Sequence, residues 1–323
     1  MGRRPVSRSW LDRPEGGSAW ALKLILMVAL RLGRAVSRTV LIPITCYFLL
    51  RRAPERRASR DYLTRVLGRV PTWLEVARHF HTFAGVTLDR VYFLTRSPDY
   101  FDTRLVGIEQ LHRAMDLGRG VLLIGAHVGS FDALRATSTL RPDVTVRVVL
   151  DAEHSPILSA LLRQLNPRIA EGIINPRKDG TAVALEIGAA LNSGALVTML
   201  GDRGRPGNAT VSAEFLGSPA EFPTAPWQIA AALRVPVVLC AGLYRGGRRY
   251  DLHFELIAEQ LHVERSHRQQ QLRVLVQDYA DRLAALLRSA PYNWFNFYDF
   301  WNPSGPGDRR GPAGARDGHA AGG

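Results

Sequence analysis

Of the nine histidines in this 323-residue chain, only His127 is followed five positions later by a carboxylate, in the order Gly125-Ala-His-Val-Gly-Ser-Phe-Asp132. A histidine held by a carboxylate is a general base. The carboxylate selects the tautomer and stabilises the imidazolium, and the second ring nitrogen takes the proton of an attacking hydroxyl. The spacing alone also fits a structural histidine, so the surroundings matter. His127 stands where a continuous apolar run over 120–126 ends, Gly129 permits a tight turn, and Asp132 falls in the first turn of the next helix. A strand-turn-helix of this kind folds the carboxylate back toward the imidazole, just outside the carboxyl end of a sheet, where α/β proteins bind ligands. The chain has no Gly-x-Ser-x-Gly elbow, and neither Cys46 nor Cys240 lies in an activated setting. Direct transfer to a bound acceptor is therefore expected, without a covalent enzyme intermediate.

The elements that must position this pair follow from periodicity. Helical spacing runs over 72–94, where Trp73, Val76, Phe80, Phe83 and Leu88 recur, and again over 108–117, 155–166, 180–193, 225–234 and 264–288. Strand-type runs lie over 105–108, 120–126, 144–150, 169–174, 195–200, 235–243 and 250–255. Strands alternating with helices predict an α/β sandwich with a mostly parallel central sheet. The Gly, Pro and Arg-rich end from residue 305 has no apolar periodicity and is expected to be disordered. The resulting division is a basic N-terminal segment over 1–60, a domain over 61–303 and a tail over 304–323.

The charge is unevenly placed. Residues 1–60 hold thirteen Lys and Arg against Asp12, Glu15 and Glu55, and so carry ten of the chain's thirteen net positive charges. The body is nearly neutral, which argues against a nucleic-acid partner. The same basic segment is the most apolar, and that combination points to a membrane. From Trp20 onward Lys23, Arg31, Arg34 and Arg38 share one helical face, while Leu24, Leu26, Val28, Leu32 and Val36 cover much of the rest. This predicts an amphipathic helix in the plane of the headgroups, with its basic stripe on lipid phosphates. A true span and a buried hairpin broken at Pro43 are the alternatives; the span is disfavoured by arginines in the middle of the run. The cluster Arg51, Arg52, Arg56, Arg57 and Arg60 places the following chain on the cytoplasmic side. Two distant cysteines give no disulfide framework and no zinc site.

The segment Gly125-Ala-His-Val-Gly-Ser-Phe-Asp-Ala-Leu-Arg-Ala136 resembles the first motif of the lysophospholipid and lipid A late acyltransferases, which use His-x-x-x-x-Asp or Glu as their catalytic dyad. The likeness continues through Leu196-Val-Thr-Met-Leu-Gly-Asp-Arg203, Ala213-Glu-Phe-Leu-Gly217, the stretch over 221–230, Leu233-Arg-Val-Pro-Val-Val-Leu239 and the aromatic segment Tyr292 to Trp301. It covers roughly residues 15–303. The resemblance implies a glycerolipid-acyltransferase-like sandwich with an N-terminal membrane-associated helix, on the cytoplasmic face of a bacterial inner membrane. It implies transfer of a fatty acyl group from acyl-ACP or acyl-CoA to a lipid hydroxyl, with membrane lipids and an acyl carrier protein as partners and with neither cofactor nor metal. By this resemblance His127 is the base and Asp132 its orienter. Gly129, Ser130, Phe131, Asp202, Arg203, Phe215 and Gly217 belong to the substrate cleft, and Arg177 meets the acceptor's phosphate or polar head. The aromatic segment suits a membrane interface, the mouth of an acyl groove or plain core packing. Asp132 stands where the lipid A enzymes usually have Glu, and Ser130 where many have Asn; both departures point away from lipid A itself as acceptor. A hydrolase on the same site and a non-catalytic membrane-binding homologue are the rival functions.

Overall fold

The computed structural model of the chain describes residues 19–138, 144–150, 172–177, 179–204, 207–264 and 266–301. The helix expected over 155–166, the first half of the strand expected over 169–174, Lys178 and the tail lie outside the described residues, as do the side chains of Lys23, Leu24, Leu26 and Val28. Three helices come first: α1 (Ala19–Arg51), α2 (Ala53–Leu67) and α3 (Trp73–Thr95). Strands and helices then follow in the order β1 (Asp102–Val106), α4 (Ile108–Met115), β2 (Val121–Gly125), α5 (Phe131–Ser138), β3 (Val146–Val149), β4 (Ile173–Ile174), α6 (Gly180–Asn192) and β5 (Leu196–Leu200). After them come β6 (Thr210–Phe215), β7 (Ser218–Pro223), α7 (Ala225–Leu233), β8 (Val237–Gly246), β9 (Arg249–Ala258) and α8 (Arg268–Ser289).

Seven strands form one sheet in the order β1-β9-β8-β2-β5-β3-β4. Every neighbouring pair is parallel except β8 with β9, so the sheet is mostly parallel, as expected. β2 is buried along its whole length, because a central parallel strand has both faces covered. Leu122 and Ile124 enter the cluster formed with Trp227 of α7 and Tyr279 and Leu283 of α8. Val121 and Leu123 enter the opposite cluster, with Val86 and Tyr92 of α3 and Leu111 of α4. Each such side chain contributes about 1.5–3 kcal/mol by leaving water, and together they hold the end of β2 rigidly in place.

Two features escaped periodicity. α2 is so rich in charge that its stripe of Ala58, Ser59, Tyr62, Leu63 and Val66 is narrow; the helix runs across the 60/61 division. The β6–β7 hairpin is punctuated by Pro219 and turns through Leu216 (φ 51°) and Gly217 (φ 81°), the two successive left-handed residues that a tight hairpin turn demands.

α1 corrects the expected basic stripe. It is kinked at Gly33 (φ 80°, ψ 175°), and beyond the kink two of its arginines turn inward. Arg34 is buried and donates from Nε (2.6 Å) and Nη2 (2.8 Å) to the carboxylate of Asp89 on α3, which has no solvent exposure. Tyr250 Oη donates to the same carboxylate at 2.7 Å, and Arg38 approaches it while lying over the Tyr244 ring. Gly85 makes room: a Cβ there would meet the Arg38 guanidinium at 2.6 Å. A buried carboxylate needs cationic partners, and Asp89 draws these two from the helix facing it. Arg31 alone of the three stays exposed. The surface that α1 leaves outward is apolar instead, with Leu30, Leu32, Val36, Ile42 and Leu50 all exposed. Among the described residues, no helix is long and apolar enough to cross a membrane. Asp89→Ala would leave Arg34 buried without its counter-charge, and urea melts should show a loss of about 3–5 kcal/mol.

Candidate active site

β2 and β5 lie side by side and parallel, with Gly125 opposite Leu200. Gly201 N continues the ladder by donating to Gly125 O at 2.9 Å. Counting two residues past each strand end brings His127 opposite Asp202. The two meet: His127 Nδ1 lies 2.9 and 3.1 Å from the two carboxylate oxygens of Asp202, which is fully buried. A carboxylate only accepts, so Nδ1 carries the proton and donates it. Asp202 Oδ2 also accepts from the His127 backbone N–H at 3.1 Å and from Trp294 Nε1 at 3.1 Å. The histidine side chain is one third exposed, and its Nε2 makes no hydrogen bond among the described residues. This leaves a lone pair in the adjoining cleft.

The turn that presents His127 is pinned on both sides. Gly129 (φ +56°) donates to Asn293 O at 2.7 Å, and Ser130 N donates to Gly242 O at 2.7 Å. A Cβ on Gly129 would lie 1.9 Å from Gly242 O, so only glycine fits. Phe295 N donates to His127 O at 2.9 Å, which ties the C-terminal aromatic segment across the turn. Trp294 is fully buried, and His79, buried beneath it, donates from Nε2 to Trp294 O at 2.8 Å. Burial lowers the His79 pKa to about 4, so this histidine is a neutral strut.

Burial and the neighbouring Arg203 guanidinium lower the pKa of His127 below the ordinary histidine value, outweighing the opposing pull of Asp202. Burial pushes Asp202 upward, but the charge and hydrogen bonds of His127, together with Arg203, hold it well below the usual carboxylate range. His127 is thus neutral at neutral pH and able to accept a proton. A base must be deprotonated to act, so with His127 in that role kcat/KM should rise with pH through a midpoint below the ordinary histidine value and stay level above it. A pH–rate profile checks this; a midpoint above that value would contradict the assignment.

The cleft has a volume of about 550 Å³ and a largely apolar lining that includes Val86, Val148, Leu150, Met199, Leu200 and Phe297. His127, Gly129, Ser130, Phe131, Asp132 and Arg203 all border it. Asp202 does not; it sits behind His127. Asp132 requires a correction of role. Its carboxylate accepts from Arg90 Nε on α3 at 2.6 Å, and the Nδ1 position it was expected to occupy belongs to Asp202. The reason is local: Ser130 Oγ caps α5 by accepting from Ala133 N (3.2 Å), and the first turn of that helix packs on α3. Phe215 and Gly217 are also corrected. Phe215 packs in the core against Trp294, Phe222 and Phe300, and Gly217 forms the hairpin turn, both away from the cleft. Arg177 is exposed and outside the cleft lining.

Two participants were missed. Arg90 lies on one helical face with Phe83, Val86 and Thr87, all bordering the cleft; a lone cation closing an apolar stripe at spacing seven was the available signal. Trp294 as a donor to Asp202 had no signal beyond the aromatic run. Arg203 lies over the Tyr298 ring and donates to Phe295 O, so the C-terminal segment also forms one wall. Among the described residues, no three His, Cys, Asp or Glu side chains gather where they could hold a metal.

In comparisons with known proteins, the family model described as "Bacterial lipid A biosynthesis acyltransferase" matches residues 8–302. A search of curated proteins found no match.

Proposed function

The chain belongs to the bacterial lipid A biosynthesis acyltransferase family, and on that premise we propose that its cleft moves a fatty acyl group from acyl-ACP or acyl-CoA to a hydroxyl of a lipid or glycolipid. The observation that carries the reading is the geometry of His127, with Nδ1 on buried Asp202 and Nε2 in an apolar cleft. In the reaction, Nε2 takes the proton of the acceptor hydroxyl as its oxygen bonds to the thioester carbonyl carbon. The carbon–sulfur bond then breaks, and the imidazolium returns the proton to the departing thiolate. Asp202 stabilises the imidazolium throughout. The apolar walls suit the acyl chain, since a buried methylene contributes about 0.8 kcal/mol.

The same reading places the protein on the cytoplasmic face of the inner membrane. The outward apolar residues of α1 enter the headgroup layer, together with Val70, Trp73 and Leu74, which are also exposed. The exposed Arg51, Arg57 and Arg60 lie on anionic lipid or an acidic carrier protein.

The test is incubation of the protein with radiolabelled acyl-ACP or acyl-CoA and bacterial lipid extract, followed by chromatography. A new acylated lipid is expected. Free fatty acid as the sole product, with acceptor lipids present, would favour hydrolysis, and no turnover of either donor would overturn the reading.

A further inference from the structure

Asp132 borders the cleft, yet its carboxylate engages α3. It is almost fully buried, and the bond from Arg90 Nε is short, at 2.6 Å. Arg90 keeps about a third of its side chain exposed (32%) and borders the same cleft. Its two Nη groups make no hydrogen bond among the described residues. With Nε committed, a guanidinium cannot rotate freely, and its Nη edge is held as a two-pronged donor. That edge matches two oxygens of one phosphate. The second carboxylate along the cleft, Glu55, is near Arg52 at 3.5 Å, so both carboxylates have cations beside them and their repulsion of an anion is damped. A further guanidinium, Arg203, borders the cleft.

We propose that Arg90 binds a phosphate group of a substrate, and that Asp132 is the positioning residue that aims it, with no part in orienting His127. This rests on the transfer reading only in supposing that a lipid or thioester substrate enters the cleft. The phosphate belongs either to the donor's pantetheine arm or to the acceptor's headgroup, and paired probes separate these sources.

The experiment measures binding in the His127→Ala background, so that it does not depend on turnover. The donor pair is palmitoyl-CoA and palmitoyl-pantetheine, which lacks phosphate. The acceptor pair is lysophosphatidylglycerol and monoacylglycerol. Arg90→Gln should weaken the phosphate-bearing member of one pair by about 10- to 100-fold and leave its phosphate-free partner unchanged. The pair that responds identifies the source. Arg90→Lys, which keeps charge but not the fork, should lose less than Arg90→Gln, and Asp132→Asn should lose in the same direction. In the His127 enzyme, Asp132→Asn should leave the acid limb of the pH profile where it is. Equal weakening of both members of each pair, or no weakening, would overturn the proposal, as would a shifted acid limb in Asp132→Asn. If transfer is absent but phosphate-selective binding is lost in Arg90→Gln, the transfer reading fails and this one stands.

Discussion

His127→Ala should lower acyl transfer by about 10²–10⁴-fold, the usual worth of a positioned general base. The loss should appear in kcat, because the side chain borders only one end of a large apolar cleft and contributes little to holding an acyl chain. Removing the imidazole also takes from Asp202 its principal partner. The backbone N–H of residue 127 and Trp294 Nε1 still donate to that carboxylate, so the fold should survive with a modest fall in melting temperature. His127→Gln provides the control: it restores polar bulk but no base, and should be equally inactive. Turnover within a factor of about ten of wild type would remove His127 from the chemistry.

Asp202→Asn should cost nearly as much, about 10²–10⁴-fold in kcat, because it attacks the tautomer. Three N–H groups converge on the carboxylate: His127 Nδ1 on both oxygens, and the His127 backbone and Trp294 on Oδ2. An amide offers one oxygen. Whichever way it is turned, its NH₂ group faces a donor, and the easiest relief is for His127 to move its proton to Nε2, where it can no longer act as a base. Residues that act as one unit are not additive. The His127→Ala/Asp202→Asn double variant should therefore be no slower than His127→Ala alone, and a double variant slower by a further hundredfold would show that Asp202 acts independently. Asp132→Asn is the informative contrast, since its carboxylate lies against Arg90 and the local motif alone would have ranked it the more damaging substitution.

That contrast marks the boundary between what is local and what is not. The strand over 121–125, the turn at Gly129 and the start of α5 at Phe131 are all encoded within a dozen residues, through an apolar run, a glycine and a helix-capping serine. They place His127 at the carboxyl end of the sheet whatever the rest of the chain does. The alternation of later strands and helices is equally legible, because each element buries its own apolar face. α1 was legible as an apolar helix with arginines, but its rotation was not. Periodicity says that Arg34 and Arg38 share a face; only the presence of Asp89 on the opposing helix says that the face points inward.

By itself, then, the sequence determined which histidine stands at the end of the apolar strand, the sheet end where it stands and the parallel α/β architecture. The tertiary structure decided its partner. Asp132 and Asp202 are both plausible by type, and sequence distance favours the nearer one. The choice depends on β5 lying next to β2 with Gly125 opposite Leu200, a pairing between residues 75 positions apart. Strand order is set by the packing of the whole sheet, and no local spacing encodes it. The same packing freed Asp132 to hold Arg90, because α3 and α5 meet only once the core has closed around them.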